Sequence, residues 1–417
     1  MKLPRLSVAR ESMGRTYFGW WVVAGAFALQ ALQSALFLQV FGTYGAIWHQ
    51  EFGWGTAAIA TLYAMKQVVG AIISPFQGWL LGRLGVQKVL RVGVVLVGAS
   101  LVGLSLVRNS AAFASIFVVA SLGLSLCGFL PLSTAIVDWF ETRRATAMAL
   151  MQTGISLGGL AVPVITLAIV SHGWRATMGV SGVLFGVVGL SVSPLFRREG
   201  PPLQPFEGYA RSRRGDPPEF SVRHAIRTSS FWLLSVGHAA ALLVVASVTV
   251  HLVVYLVDGE AYSLAFTGVV IALMTACAGA GQLMGGYLGD RFDKRHIAAI
   301  AMTGHAAAIG ALSLAGMGPA PVYAFAVIHG LSWGVRGPQM QALRADYFGR
   351  RAFAAVMGLS VPIITVGQVL GPVVVGVVRD TTGTFGPGLL LIAAGALLGS
   401  VAFLLAKPPV PARGVSR

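Results

Sequence analysis

The chain has 417 residues, 56% of them hydrophobic and only 11% charged, with a mean hydropathy of +0.77. A soluble domain carries about 25% charged residues, so this composition excludes one and points to a polytopic membrane protein. The net charge of +16 fits loop asymmetry and attraction to anionic lipid better than nucleic-acid binding.

Met1 to Thr16 is a short basic tail, and the apolar run after it is too long for a signal-peptide core, so span one is expected to stay in the protein. Apolar runs of about 20 residues, enough to cross about 30 Å of hydrocarbon as helix, fall at 19–46, 55–82, 88–107, 111–138, 145–171 and 174–196. Six more follow at 230–256, 262–288, 296–317, 320–345, 353–378 and 384–406. The runs are continuous and rich in Leu, Ala and Gly, without the alternation of a lipid-facing strand, so helices are expected and not a barrel. The fold class is therefore an all-α membrane protein of twelve transmembrane helices, two parallel six-helix repeats (6+6) around a central cavity. The halves are 1–196 and 230–406, joined by a connector at 197–229 rich in Pro, Gly, Arg and Glu, with a tail at 407–417. Within the connector, Phe220 to Thr228 is open to a short interfacial helix, though a solvated linker explains it more simply.

Lys and Arg accumulate on the cytoplasmic side of membrane proteins. Of the 30 basic residues, 25 fall in the two tails and in the loops after the even-numbered spans. The opposite side has Arg108, Arg175 and Arg379, and Lys66 and Arg336 lie inside spans. Both termini are thus expected in the cytoplasm, with the chain multi-pass in the plasma membrane. Cys127 and Cys277 sit within spans, where a thiol acts as a small apolar residue, so neither a disulfide framework nor a metal site is implied, and no cofactor is expected.

One loop is written twice. Gly78-Trp-Leu-Leu-Gly-Arg83-Leu-Gly85-Val-Gln-Lys88 recurs as Gly286-Tyr-Leu-Gly-Asp290-Arg291-Phe-Asp-Lys294-Arg295, with the arginines 208 residues apart. Asp138-Trp-Phe-Glu-Thr-Arg143 answers Asp346-Tyr-Phe-Gly-Arg350 at the same offset, and Gly158 with Pro163 answers Gly367 with Pro372. Duplication of a hydrophobic half is a feature of secondary transporters built around a central site.

A Gly-x-x-x-Asp-Arg-x-Gly-Arg-Lys type loop between spans two and three, repeated between eight and nine, resembles the major facilitator superfamily over nearly the whole chain. Tyr17-Phe-Gly-Trp-Trp-Val-Val23, Phe41-Gly-Thr-Tyr44 and Glu51-Phe-Gly-Trp54 are similar to its monocarboxylate and oxalate/formate branch. The resemblance implies that the loop Asp caps a helix in the same half and helps to hold the cytoplasmic side closed, using the positive end of the helix. Asp290 has that carboxylate and Gly82 does not, so a latch stronger in the C-terminal half is expected. Gly78, Arg83, Gly85, Gly286, Asp290 and Arg291 are accordingly the gating-loop candidates. Gly358, Gly367 and Gly371-Pro372 match an exchanger-associated spacing but lie in span eleven, where close helix packing accounts for them.

Every carboxylate falls at a span end, a tail or a loop, so Lys66 and Arg336 have no obvious acidic partner in the membrane. Lys66 shares a polar stripe with Tyr63, Gln67, Gly70, Ser74 and Gln77, and Arg336 shares a face with His329, Trp333 and Gln339. Each half thus contributes one cation to a candidate anion site, Arg suited to a bidentate carboxylate and Lys to a point contact. Snorkelling of Lys66 and backbone bonding of Arg336 are the structural alternative. Gln30, Gln33 and Ser34 are open to cavity lining or interhelical bonding, with Gln33 kept as a substrate-binding candidate. His238 and His329 are the proton-coupling candidates, beside His251 and His305. The related branch often carries an Asp/Arg pair in span eight. Here that span offers Thr275 and Gln282, which shifts the balance from proton symport towards exchange of two anions.

The reading is a secondary transporter of a small organic anion, a mono- or dicarboxylate, moved with a proton or against a counter-anion by alternating access. A drug or metabolite exporter of the same fold is the alternative, since Phe27, Phe37, Phe41 and Tyr255 do not exclude an apolar cavity. An enzyme or a sensor is remote, because no metal cluster, nucleophile elbow or paired acids occur within the spans. The duplicated halves complete a pathway in one chain, so a monomer is expected.

Overall fold

The computed structural model describes residues 17–54, 56–197 and 220–409, without the side chains of 46, 56–60, 63 and 264. The basic tail 1–16, most of the connector, the final residues and the Tyr63 side chain lie outside the described residues. Inside hydrocarbon a backbone must satisfy its own N–H and C=O groups, and the apolar runs accordingly form helices. Their starts carry side-chain caps at Asn109, Thr228, Ser263 and Asp293, whose oxygens accept from Ala112, Phe231, Phe266 and Arg295 N–H.

Among the described residues nine helices are long and apolar enough to cross a membrane. One of them, Pro319–Thr382, is two helices that meet at Gly349, whose φ of 78° lies outside the helical region. Thr56–Leu84, carrying Lys66 and two glutamines, and Lys294–Leu312, with its basic first turn, complete the twelve. The long connector contributes a single described turn, Val222–Ala225.

Three spans of the first half depart from the straight helices expected of them, and in the second half span seven ends in a π-turn at Tyr255–Gly259. Span one passes through a π-turn at Ser34–Leu38. Span four is Ser110–Leu126 and Phe129–Trp139, interrupted at Cys127 and Gly128. Span five is Arg144–Leu160 and Val162–His172, interrupted at Ala161 one residue before Val162-Pro163. All three lie in the N-terminal half. Gln33 stands at the span-four break and donates from Nε2 to the Cys127 carbonyl at 2.9 Å, so the backbone acceptor exposed by the interruption is met by a side chain.

Small residues set the helix spacing, and they do so twice. A Cβ on Gly158 of span five would fall 2.4 Å from the Ala31 carbonyl of span one. Its copy Gly367, in span eleven, would meet the Ala239 carbonyl of span seven at 2.2 Å. The duplicated glycine therefore makes the same helix–helix contact in both halves, the packing role expected of small residues in membranes. Each half has its own apolar core, and the first also takes in Phe353, Ala354 and Met357 of span eleven, where the halves touch.

Spans eight and ten approach most closely at Gly334, where an added Cβ would lie 2.1 Å from the Ala278 carbonyl. Gly334→Ala should lower the thermal unfolding midpoint of the purified protein by several degrees, since overpacking costs about 1–3 kcal/mol. Gly310→Ala, with nothing within 4 Å of the new methyl, should hold or raise it, because Ala is favoured over Gly in a helix interior. Equal midpoints for the two variants would contradict this packing.

Candidate functional site

Arg336 lies past the middle of span ten and is 2% exposed, and its Nε has no hydrogen-bond partner among the described residues. A second arginine about two turns further on behaves differently. Arg344 donates to the carbonyls of Met340 and Leu234 at 2.7 and 3.1 Å and approaches Ser360 Oγ at 3.4 Å. Counted among the loop basic residues although it falls at the end of the 320–345 run, Arg344 is fully buried inside the helix bundle. It ties spans seven, ten and eleven together, whereas Arg336 is held out of such bonding.

The surroundings of Arg336 are polar but acid-free among the described residues. Gln339, one turn on, donates to the Gly285 carbonyl at 2.6 Å and leaves its Oε1 unpartnered. From the other half Gln152 of span five reaches Gly337, where a Cβ would stand 2.6 Å from its Oε1, and its Nε2 is buried without a partner. Gln152 did not stand out in the sequence; its signal is one amide in a run of small apolar residues at the level where the halves meet. Two turns the other way, His329 and His305 of span nine face each other, Nδ1 to Nδ1 at 3.2 Å, with both Nε2 atoms unpartnered. The Arg336 charge acts on His329, His305 and His238. Trp333 is half-buried on the same span.

The N-terminal side is assembled less completely. Lys66 and Gln67 are half-buried on span two. The lower part of their stripe has structural employment: Ser74 Oγ donates to the Gly358 carbonyl across the halves at 2.9 Å, and Gln77 Nε2 to the Ser125 carbonyl at 2.6 Å. Gln33 is engaged with Cys127, and Ser34 donates to the Ile155 carbonyl at 2.7 Å. Both side chains therefore serve interhelical bonding, one of the two roles open to them.

Towards the end of the bundle that carries the duplicated loops, here termed the basic end, the halves are joined in layers. Asp290 accepts from the Ala145 and Thr146 N–H groups at 2.9 and 3.1 Å. Those donors open the helix Arg144–Leu160, where a carboxylate meets both unsatisfied N–H groups and the positive end of the helix dipole. That helix belongs to the N-terminal half. The expected cap within one half is thus corrected: Asp290 bridges the two. It reaches because Gly286 and Gly289 let span eight press on span five, a Cβ at either glycine falling 2.7 Å from Ala149 or Ala145 Cβ. Beside it Arg144 and Lys294 converge on Asp346 at 2.9 and 2.8 Å, and Arg350 bonds the Asp138 carbonyl and Glu141. At Gly82 the copied position has no side chain to offer. Arg83 and Arg291 repeat one geometry, each guanidinium lying over an aromatic ring four residues back, Trp79 at 4.5 Å and Tyr287 at 3.9 Å. Gly85 turns the chain into span three with φ 78°, a backbone region open to glycine.

At the opposite end Glu51 binds Arg175 and Trp174 within the N-terminal half. Burial alone would raise its pKa, but those bonds and the Arg175 charge hold the carboxyl below the usual range.

Residues 12–318 and 259–417 match the Major Facilitator Superfamily. The chain belongs to that superfamily. It is 27% identical to Monocarboxylate transporter 11 of Homo sapiens over 421 aligned positions, 95% of this chain and 84% of that one. Against the Oxalate:formate antiporter of Oxalobacter formigenes it is 24% identical over 48% of this chain and 47% of that one. The fold is similar to the crystal structure of the superfamily transporter FucP in the outward conformation, with a TM-score of 0.74 over 94% of this chain and 100% of that one, at 16% identity. The superfamily assignment makes this an integral, multi-pass transport protein and accounts for the twelve helices in two sets of six.

Removal of the Asp290 carboxylate should loosen the basic end. With spin labels at Thr142→Cys and Phe292→Cys, Asp290→Ala should add a longer distance population, since losing such a cap costs about 0.5–2 kcal/mol. An unchanged distance distribution would show that the carboxylate does not hold the halves together.

Proposed function

We propose that this chain carries a small organic anion, a mono- or dicarboxylate, across the plasma membrane by alternating access, with the basic end and both termini in the cytoplasm. The observation that carries the reading is Arg336: a fully buried guanidinium whose Nε is unpartnered, in a span where an uncompensated charge costs roughly 2.5–3.5 kcal/mol. A carboxylate supplies the missing charge and matches the planar fork in two parallel hydrogen bonds. Gln152, Gln339 and Trp333 supply amide and ring contacts around it, and Lys66 contributes the second cation from the other half. The names of two relatives, a monocarboxylate transporter and an oxalate:formate antiporter, support the same substrate class.

An anion bound between Arg336 on one half and Gln152 or Lys66 on the other stabilises whichever state brings those groups together, and this is how binding energy is coupled to rocking. The inter-half bonds of Asp290, Asp346 and Glu141 close the cytoplasmic side in the present state, and their rupture must accompany inward opening. The halves 1–196 and 230–406 are the moving bodies. Exchange of two anions is favoured over proton symport, because span eight offers Thr275 and Gln282 where an acid would be needed.

Proteoliposomes should show saturable uptake of labelled lactate, acetate or oxalate that rises with a counter-anion inside. Arg336→Gln should remove at least nine-tenths of it, and Arg336→Lys should retain part of the rate while raising KM. Wild-type kinetics in Arg336→Gln, with protein amount and orientation matched, would overturn the proposal.

A further inference from the structure

The duplicated loops close two seams between the halves, and the seams differ. At the seam of spans five and eight Asp290 is bonded to the opposing backbone. At the seam of spans two and eleven Gly78 packs against Ala354 and Ala355, and Ser74 bonds Gly358. There the loop sequence from Gly78 to Lys88 contains no acidic residue at all.

Beyond Gly358, away from the basic end, spans two and eleven separate into a groove of about 420 Å³. Val68, Ile72 and Pro75 form one wall, and Pro362, Val366 and Val369 the other. Thr365, a polar side chain in the lining, spends its hydroxyl on the Val361 carbonyl of its own helix. Ile72 is 73% exposed and Val366 56%, so the groove opens sideways to the bilayer and not into the bundle. Lys66 itself lies on the far side of span two, about 160–180° around the helix from Val68 and Pro75 by helical spacing.

The wall on span two continues towards the basic end as one outward stripe, Ile72, Phe76, Trp79 and Arg83, at steps of three and four. Phe76 and Trp79 are exposed and stacked at 5.2 Å, and the Arg83 guanidinium caps Trp79 at 4.5 Å. On span eleven exposed Arg351 stands on the stripe of Ala355, Pro362, Val366 and Val369. From Ile72 to Arg83 the helix rises about 16 Å, which matches one leaflet of a hydrocarbon core about 30 Å thick. An apolar slot at mid-depth, a Trp at the interface and arginines at headgroup level have the dimensions and charge order of one phospholipid.

We propose that the seam of spans two and eleven is a phospholipid site, with one acyl chain in the groove and an anionic headgroup phosphate at Arg83 and Arg351. The lipid anion stands at the seam whose loop lacks the carboxylate that Asp290 provides at the other. A chain in the groove separates Val68 and Ile72 from Val366 and Val369, so occupancy favours the state in which the basic end is closed. The lipid site rests on the fold and on these side chains, and the proposed anion substrate plays no part in it.

The test is retention of phosphatidylglycerol against phosphatidylcholine with identical acyl chains, measured by native mass spectrometry of the full chain. The wild type should retain one phosphatidylglycerol in preference. Arg83→Gln should reduce that preference at least fivefold, Val366→Trp should lower occupancy by both lipids, and Arg291→Gln at the other seam should match the wild type. Each variant is scored only as a monodisperse species with the wild-type unfolding midpoint. Equal retention of the two lipids by the wild type, wild-type retention in both seam variants, or the same loss in Arg291→Gln would overturn the site. Because the readout is lipid, a failure of anion transport leaves this result interpretable.

Discussion

A guanidinium buried in the middle of a membrane protein, with no carboxylate paired to it among the described residues, is the constraint around which the rest of this structure is organised. Ordinary solutions are visible a short distance away. Arg344 is bonded to two carbonyls and a hydroxyl, and Arg144 to Asp346 and the Phe140 carbonyl. Among the described residues Arg336 has neither, and two polar groups at its level, Gln152 beside Gly337 and Gln339 one turn on, themselves keep unpartnered atoms. Buried groups left unsatisfied each cost about 1–3 kcal/mol. A cluster of them at the level where two halves meet has the chemistry of a site that a ligand completes.

The position of that cluster follows from how the halves are joined. Between Arg336 and the basic end, contacts across the halves come in successive layers: Gln152 on Gly337, Ala145 beside Gly289, Asp290 on the span-five backbone, then the ion pairs of Asp346 with Arg144 and of Glu141 with Arg350. At Asp290 two glycines, Gly286 and Gly289, bring span eight close enough to span five for the polar bonds to form across the seam. Fidelity to the duplication gives way at the candidate gate and the candidate site: Gly82 stands where the other copy has Asp290, and Gly128, which answers Arg336, falls at the break in span four.

Much of this was legible in the sequence because hydrophobic length, basic-loop bias and a 208-residue repeat are one-dimensional signals. The repeated Arg83 and Arg291 find repeated aromatic partners, and Gly158 and Gly367 make repeated contacts. What stayed hidden depends on three dimensions. Asp290 was recognised as a helix cap, but whether its helix lay in the same half or across the seam is a matter of docking. Arg344 counted as a loop residue because helix ends are poorly marked where basic residues begin. The interruption at Cys127-Gly128 leaves no distinct trace among 53 glycines, whereas that at Ala161 is marked only by Pro163. Gln33 is open by sequence to cavity lining or interhelical bonding, and the exposed Cys127 carbonyl engages it in the second role.

The claim that an anion completes the Arg336 site is tested most directly by measuring the distance between the two. Rotational-echo solid-state NMR on full-length protein with guanidinium-labelled arginine and carboxyl-labelled lactate or oxalate should show an arginine within about 4 Å of the carboxyl carbon, the spacing of a bidentate pair. That dephasing should vanish in Arg336→Lys while the Arg344 signals stay unchanged. Dephasing that survives in Arg336→Lys, or none at saturating anion, would contradict the account.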